Sequence, residues 1–186
     1  MNHLFSINAE GGPLLCLDAR AAVKWKGAED RAKDYKMLCS KIDNKPDFSA
    51  AVLPICGTAC AVWEMAGAGT ADVFLQPSGN LCIVRAWLAT DPGDELAKLA
   101  GGDPILRQEI GEIDLPSGTL AVLWAPESGL AVPETIDIPF RSVKGTAIND
   151  SVFVIKAAFG RYRCCDDQIE LGNSRARRLT LIPNKL

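Results

Sequence analysis

The chain has 186 residues, is 48% hydrophobic and 23% charged, and carries a formal net charge of −3. That length suits one domain or two small, closely packed halves, and the apolar content supports a core and excludes a disordered chain. A pI near 5.2 argues against nucleic acid as the main ligand, and the apolar run Ala50–Cys56 is too short to span a bilayer.

Residues Met1-Asn2-His3-Leu4-Phe5-Ser6 lack the basic and long apolar regions of an export signal, so a soluble cytoplasmic protein is expected. Gly11-Gly12-Pro13 then forms a corner. Glycine opens backbone angles closed to other residues and proline fixes the next φ, which shapes the entry to a strand over Pro13–Asp18. Ala19–Lys26 is a short helix candidate. Residues 28–40 read in two ways, since helix formers fill the first half and Tyr35-Lys36-Met37-Leu38-Cys39 also suits a strand.

Strands over Ala50–Cys56 and Ala59–Glu64, split by Gly57-Thr58, read as a hairpin. Gly67-Ala68-Gly69 lacks the lysine and helix of a phosphate loop and reads as a flexible hairpin connection. Asp72–Gln76 and Leu81–Leu88 flank the turn Pro77-Ser78-Gly79-Asn80, and strand alternation puts Arg85 and Trp87 on one face. Asp91-Pro92-Gly93-Asp94-Glu95 opens a helix running to about Ala100, with Asp91 as N-cap and proline at the first position. Further strands follow at Arg107–Asp114, Thr119–Trp124, Thr135–Ile138, Ser151–Lys156, Arg161–Asp166 and Arg178–Ile182.

Many short strands and few helices predict a single compact α+β domain over residues 1–186, predominantly antiparallel. A faint repeat divides it into halves 1–90 and 105–186. Gly12-Pro13-Leu14-Leu15-Cys16-Leu17 matches Gly118-Thr119-Leu120-Ala121-Val122-Leu123, and Asp72-Val73-Phe74 through Cys82 matches Ser151-Val152-Phe153 through Arg163. Generic strand-turn-strand patterns explain the likeness nearly as well, so two related halves remain an open alternative. Charge is unevenly spread, at −1 over residues 1–84, −7 over 85–140 and +5 over 141–186. An acidic middle segment steers a basic partner if its charges share a face.

Catalytic signals are sparse. His3 is the single histidine and lies beside a terminus, a poor place for a nucleophile's base. Seven cysteines form an odd set without an export signal, so they read as small core residues rather than a disulfide framework. Cys56 and Cys60 have CxxxC spacing, but the other close pair, Cys164-Cys165, points to opposite faces of a strand, so no metal site is expected. Asp94/Glu95 and Asp166/Asp167 have the composition of acid–base pairs and equally that of solvated loops. The basic run Arg175-Ala176-Arg177-Arg178 lacks interleaved aromatics, so direct nucleic-acid binding is not expected.

Gly11-Gly12-Pro13-Leu14-Leu15, Trp25-Lys26-Gly27, Asp34-Tyr35 with Cys39, and Val84-Arg85-Ala86-Trp87 occur in an order that resembles the immunity protein 21 family of bacterial polymorphic toxin systems. The resemblance covers residues 8–90 best, and it departs from the family pattern where Ala86 separates Arg85 from Trp87. It implies a non-enzymatic protein, without cofactor or metal, that binds and neutralises a cognate toxin. Gly11, Gly12, Pro13, Trp25, Gly27, Asp34, Tyr35, Cys39, Arg85 and Trp87 are then motif residues, with packing and binding both open as their role. If the toxin is a basic nuclease, Asp91, Asp94, Glu95, Asp103, Glu109 and Glu112 are the candidate toxin-facing acids. The competing reading is a small-ligand or enzymatic domain with a pocket between the halves, where Arg85 and Tyr35 bind an anion. Oligomeric state stays open.

Overall fold

The structure, a computed structural model, describes residues 1–29, 33–43, 49–65, 67–89, 93–129 and 146–184. The strands are β1 (Asn2–Ala9), β2 (Pro13–Asp18), β3 (Ala50–Ile55), β4 (Thr58–Glu64), β5 (Gly69–Leu75), β6 (Leu81–Trp87), β7 (Leu106–Leu115), β8 (Thr119–Trp124), β9 (Thr146–Asn149), β10 (Val152–Lys156), β11 (Gly160–Leu171) and β12 (Ser174–Pro183). The helices are α1 (Ala19–Ala22), α2 (Asp34–Ile42) and α3 (Gly93–Gly101). All strand pairs are antiparallel, and with three short helices the chain has an α+β fold.

Two six-stranded sheets pack face to face. The first has the order β1-β5-β6-β12-β11-β7 and the second β3-β4-β2-β8-β10-β9. Alternation along each central strand sends one set of side chains between the sheets and the other outward. Leu14, Cys16, Trp63, Ile83, Leu120, Val122, Leu179 and Leu181 belong to the layer between the sheets. Leu15, Leu17, Val62, Ala121 and Leu123 face outward from the second sheet into a cluster with Ala22, Trp25, Leu38 and Ile42 of the helical layer. On the far side, Phe74, Cys82, Val84 and Ala176 meet Leu99 and Ala100 of α3. Every residue of β2 is buried because both its faces are covered, which is why the segment reads as a continuous apolar run.

The strand order is palindromic. β1 through β6 and β7 through β12 take equivalent places, with β6 beside β12 and β2 beside β8 at the centres. Matching Gly12 to Gly118 carries the pair Leu14–Trp124 onto Leu120–Asp18 and the pair Cys16–Val122 onto itself, so a local two-fold axis passes through Cys16 and Val122. The second matched segment is one strand out of step. It sets β5–β6 against β10–β11, whereas β11–β12 occupies the equivalent place.

Other expectations need correction. The Gly67–Gly69 connection is no hairpin, because β4 lies in one sheet and β5 in the other. Tyr35–Cys39 is helical, since Leu38 and Ile42, four residues apart, both enter the outer cluster of the second sheet. The hairpin turn of β3–β4 is Cys56-Gly57, with φ of 53° and 79°, one residue earlier than composition indicates. Strands β1 and β9 lie outside the sequence reading. β11 and β12 run longer than their apolar cores and meet at Leu171 and Ser174. Thr135–Ile138 and the Asp91-Pro92 cap fall outside the described residues.

Candidate functional site

The N-terminal motif residues converge on the outer side of the second sheet. The Trp124 indole donates to the Gly11 carbonyl, and a Cβ on Gly12 would stand 3.0 Å from the Tyr35 hydroxyl. Pro13 pairs with Glu64 and starts β2. Trp25 is buried and donates through Nε1 to the Ala125 carbonyl at 2.8 Å. Gly27 has φ of 61°, and a Cβ there would overlap the carbonyl oxygens of Pro126 and Glu127. Asp34 accepts from the Lys26 amide at 3.0 Å, while the Tyr35 amide donates to the Gly27 carbonyl at 3.2 Å. Burial, followed by a hydrogen bond with Cys39, pushes the Tyr35 hydroxyl up to about 12. These contacts are internal, so the motif holds the connection from β2 to α2 against the loop after β8. A cavity of about 260 Å³ beside it is lined by Lys24, Met37, Lys41 and Cys56 among others.

Arg85 and Trp87 sit elsewhere, on β6 of the first sheet. They do share a face, the one turned toward the second sheet, in line with Leu81 and Ile83. Arg85 donates to the carbonyls of Thr70 at 3.0 Å and Ala68 at 2.8 Å, and its buried Nε has no partner. Neither described cavity is lined by both Tyr35 and Arg85; Tyr35 is on α2, packed against the outer face of the second sheet, whereas Arg85 is on β6 of the first sheet. The anion pocket expected from that pair is therefore not assembled among the described residues.

Around Arg85 the inward face of the first sheet changes character. On β6 the inward series runs Leu81, Ile83, Arg85, Trp87; on β12 it runs Leu181, Leu179, Arg177, Arg175; on β11 it runs Cys164, Asp166, Gln168, Glu170. β6 and β12 turn from core to polar at the same level, Arg85 opposite Arg177, and β11 turns one inward pair earlier, at Asp166 opposite Leu179. Arg177 marks the boundary. It donates to the Glu64 carbonyl at 2.7 Å and the Ser49 carbonyl at 3.2 Å at the end of the second sheet, pairs with Asp166 at 3.0 Å, and lies 5.6 Å from the Trp63 ring. Arg85, directly opposite it, and Arg175, beyond it, lie 5.6 and 5.7 Å from the Trp87 ring, within cation–π range. A cavity of about 320 Å³ opens there, lined by Trp87, Ile105, Gln168, Glu170, Arg175 and Arg177 among others. The opposite end of the β6–β12 pair carries Leu81 against Leu181 and is sealed. The two-fold frame thus has one closed end and one polar end.

The side chains of four of the six candidate acids are described. Asp91 and the Asp94 side chain lie outside the described residues. Glu95 is on α3, and Asp103 is exposed in the loop after it. Glu109 and Glu112 are exposed on β7, where Arg163 approaches Glu109 at 3.7 Å and Arg161 approaches Glu112 at 3.4 Å. Acidic β7 lies next to β11, so the negative middle segment meets the positive C-terminal segment within the chain itself.

Asp166 and Asp167 point to opposite faces and make no acid–base pair. Asp167 is fully buried and accepts from Arg107 at 2.7 and 2.9 Å, Arg178 at 2.8 and 3.0 Å, and Thr180 at 2.7 Å. Burial raises its carboxyl, and the hydrogen bonds from Arg107, Thr180 and Arg178 outweigh burial and hold it below the ordinary value. Arg178 also donates to the carbonyls of Ala100 and Gly102, which caps the end of α3. The sequence reading missed this cluster. Its signal was available as two adjacent acids and two adjacent arginines on either side of Gly172-Asn173, a spacing that pairs Asp167 with Arg178.

His3, Ser6 and Asp72 do meet on the exposed side of β1 and β5. However, Ser6 donates directly to Asp72 at 2.5 Å, and the same His3 Nε2 faces both partners. A hydrolytic relay needs the carboxylate on one ring nitrogen and the hydroxyl on the other, so this cluster is not a triad. All seven cysteines are free, and five are buried. Burial raises the thiols of Cys82 and Cys164 to about 11 and about 12, which removes their nucleophilic form at neutral pH. Among the described residues no cluster of metal-ligating side chains occurs, and no helix is long and apolar enough to cross a membrane.

Comparison with protein-family models, curated proteins and solved structures found no match to the chain.

Proposed function

We propose that the chain is an immunity protein that neutralises a cognate bacterial toxin by direct, stoichiometric binding. The observation that supports this most is the convergence of the motif residues carrying the family resemblance. Gly11, Gly12, Trp25, Gly27, Asp34, Tyr35 and Cys39 are spread along the chain, yet they meet in one packed unit through backbone caps and close approaches. A shared motif of that kind sets a common frame, and recognition then varies on other surfaces. A rigid double sheet with one polar, aromatic end suits such a role, because a preordered surface loses little entropy on binding.

The test is co-expression with the product of the neighbouring gene, once that product is shown to arrest growth when expressed alone. Restored growth and co-purification of the two chains are expected. Continued toxicity with both chains soluble overturns the proposal.

A further inference from the structure

We infer that the toxin docks on the polar end of the first sheet, placing a carboxylate side chain on Arg175 and an apolar side chain on Trp87 and Ile105. This rests on the neutralisation reading above. Arg175 is exposed, and among the described residues its guanidinium makes no hydrogen bond or ion pair. Its recorded contact is the Trp87 ring at 5.7 Å. A guanidinium already oriented by an aromatic ring retains its fork of donors for a carboxylate, which it binds bidentately.

The surroundings are held in place before any partner arrives. Arg85 is tied to the Ala68 and Thr70 carbonyls, and Arg177 to Glu64, Ser49 and Asp166. Among the described residues three arginines and two acids occupy this end, and Asp166 is already committed to Arg177. Glu170 stands directly across from Arg175 without an ion pair to it. The balance is cationic and selects an acidic partner surface. Trp87 is half-buried and Ile105 is 62% exposed, which supplies apolar contact beside the charge. Tryptophan and arginine around a small cavity form the composition in which interface energy concentrates.

This surface differs from the acidic one anticipated from charge distribution. On β7 the carboxylates of Glu109 and Glu112 already face Arg163 and Arg161, whereas Arg175 has no such partner.

The test measures affinity of the purified full chain, by interferometry, for the neighbouring gene's product once that product is shown to be toxic. The variants are Trp87→Ala, Arg175→Glu, paired Glu109→Lys with Glu112→Lys, and the remote control Arg20→Glu on α1. Thermal midpoints establish that each variant is folded; Arg175 is exposed, so Arg175→Glu keeps the question answerable if Trp87→Ala unfolds. Loss of at least ~30-fold in affinity is expected for Trp87→Ala and Arg175→Glu, against less than ~3-fold for Arg20→Glu. Wild-type binding that survives both substitutions overturns this site while leaving neutralisation intact. So does weakening confined to the Glu109/Glu112 pair. Absence of wild-type binding overturns the neutralisation reading and the site together.

Discussion

Replacing Asp167 with asparagine removes the counter-charge of a buried arginine without changing the side chain's shape. In the native protein the carboxylate accepts five hydrogen bonds, with Arg107 bridging both oxygens and Arg178 and Thr180 on one of them. An amide keeps one acceptor oxygen and turns an NH₂ group toward guanidinium donors. Arg178 is 2% exposed, so its charge is left without its ionic partner in a dry site. Removing one partner of such a pair costs ~3–5 kcal/mol. For a chain of this size that lowers the thermal midpoint by ~6–20 °C. Urea unfolding at neutral pH, followed by tryptophan fluorescence, gives the same free energy from a shifted midpoint at constant slope. The Asp167 carboxyl lies below its ordinary value of 3.8 in the folded state, so its stabilisation is complete above that pH and disappears as pH falls through the folded value. The gap between wild type and Asp167→Asn therefore closes in acid below pH 3.8. Replacing Asp167 and Arg178 together with leucine and methionine recovers much of the loss, because no charge is then orphaned. An Asp167→Asn variant within ~1 kcal/mol of wild type at neutral pH refutes the reasoning.

Two further outcomes follow from the packing. Gly27→Ala loses more stability than the ~1–2 kcal/mol of its left-handed backbone alone, because the added methyl overlaps the Pro126 and Glu127 carbonyls; a smaller loss in urea unfolding shows that the loop moves aside at little cost. Native thiol labelling modifies half-buried Cys39 and Cys56 before the other five, and the buried set reacts only on unfolding; early modification of Cys16 or Cys82 contradicts the burial assigned to them.

Local pattern carried much of the fold. Pro13–Asp18 is legible because a strand covered on both faces is apolar along its length, up to Asp18, whose buried carboxylate accepts from the Arg20 and Ser117 amides. Arg85 and Trp87 share a face because alternation is a local property. β1 was illegible for the opposite reason: it is an edge strand whose Asn2, Ser6 and Asn8 face solvent. Alternation also says nothing about which of two sheets a strand joins, so β4 to β5 reads as a hairpin although it crosses between layers. The same gap kept the site hidden. Arg85 and Trp87 are remote in sequence from Arg175 and Arg177, and only the register of β6 with β12 puts Trp87 opposite Arg175. Tyr35 and Arg85 look like partners in a motif list, yet Tyr35 lies on α2 outside the second sheet and Arg85 on β6 of the first.

The central claim, neutralisation by binding, is tested most directly by titrating the purified chain into the purified candidate toxin from the neighbouring gene while following that protein's own activity. The account predicts a linear fall that ends at equimolar chain and reverses when the two are separated. Full activity at a large molar excess contradicts it, and so does complete inactivation by a small fraction of an equivalent, which requires an enzyme rather than a stoichiometric partner.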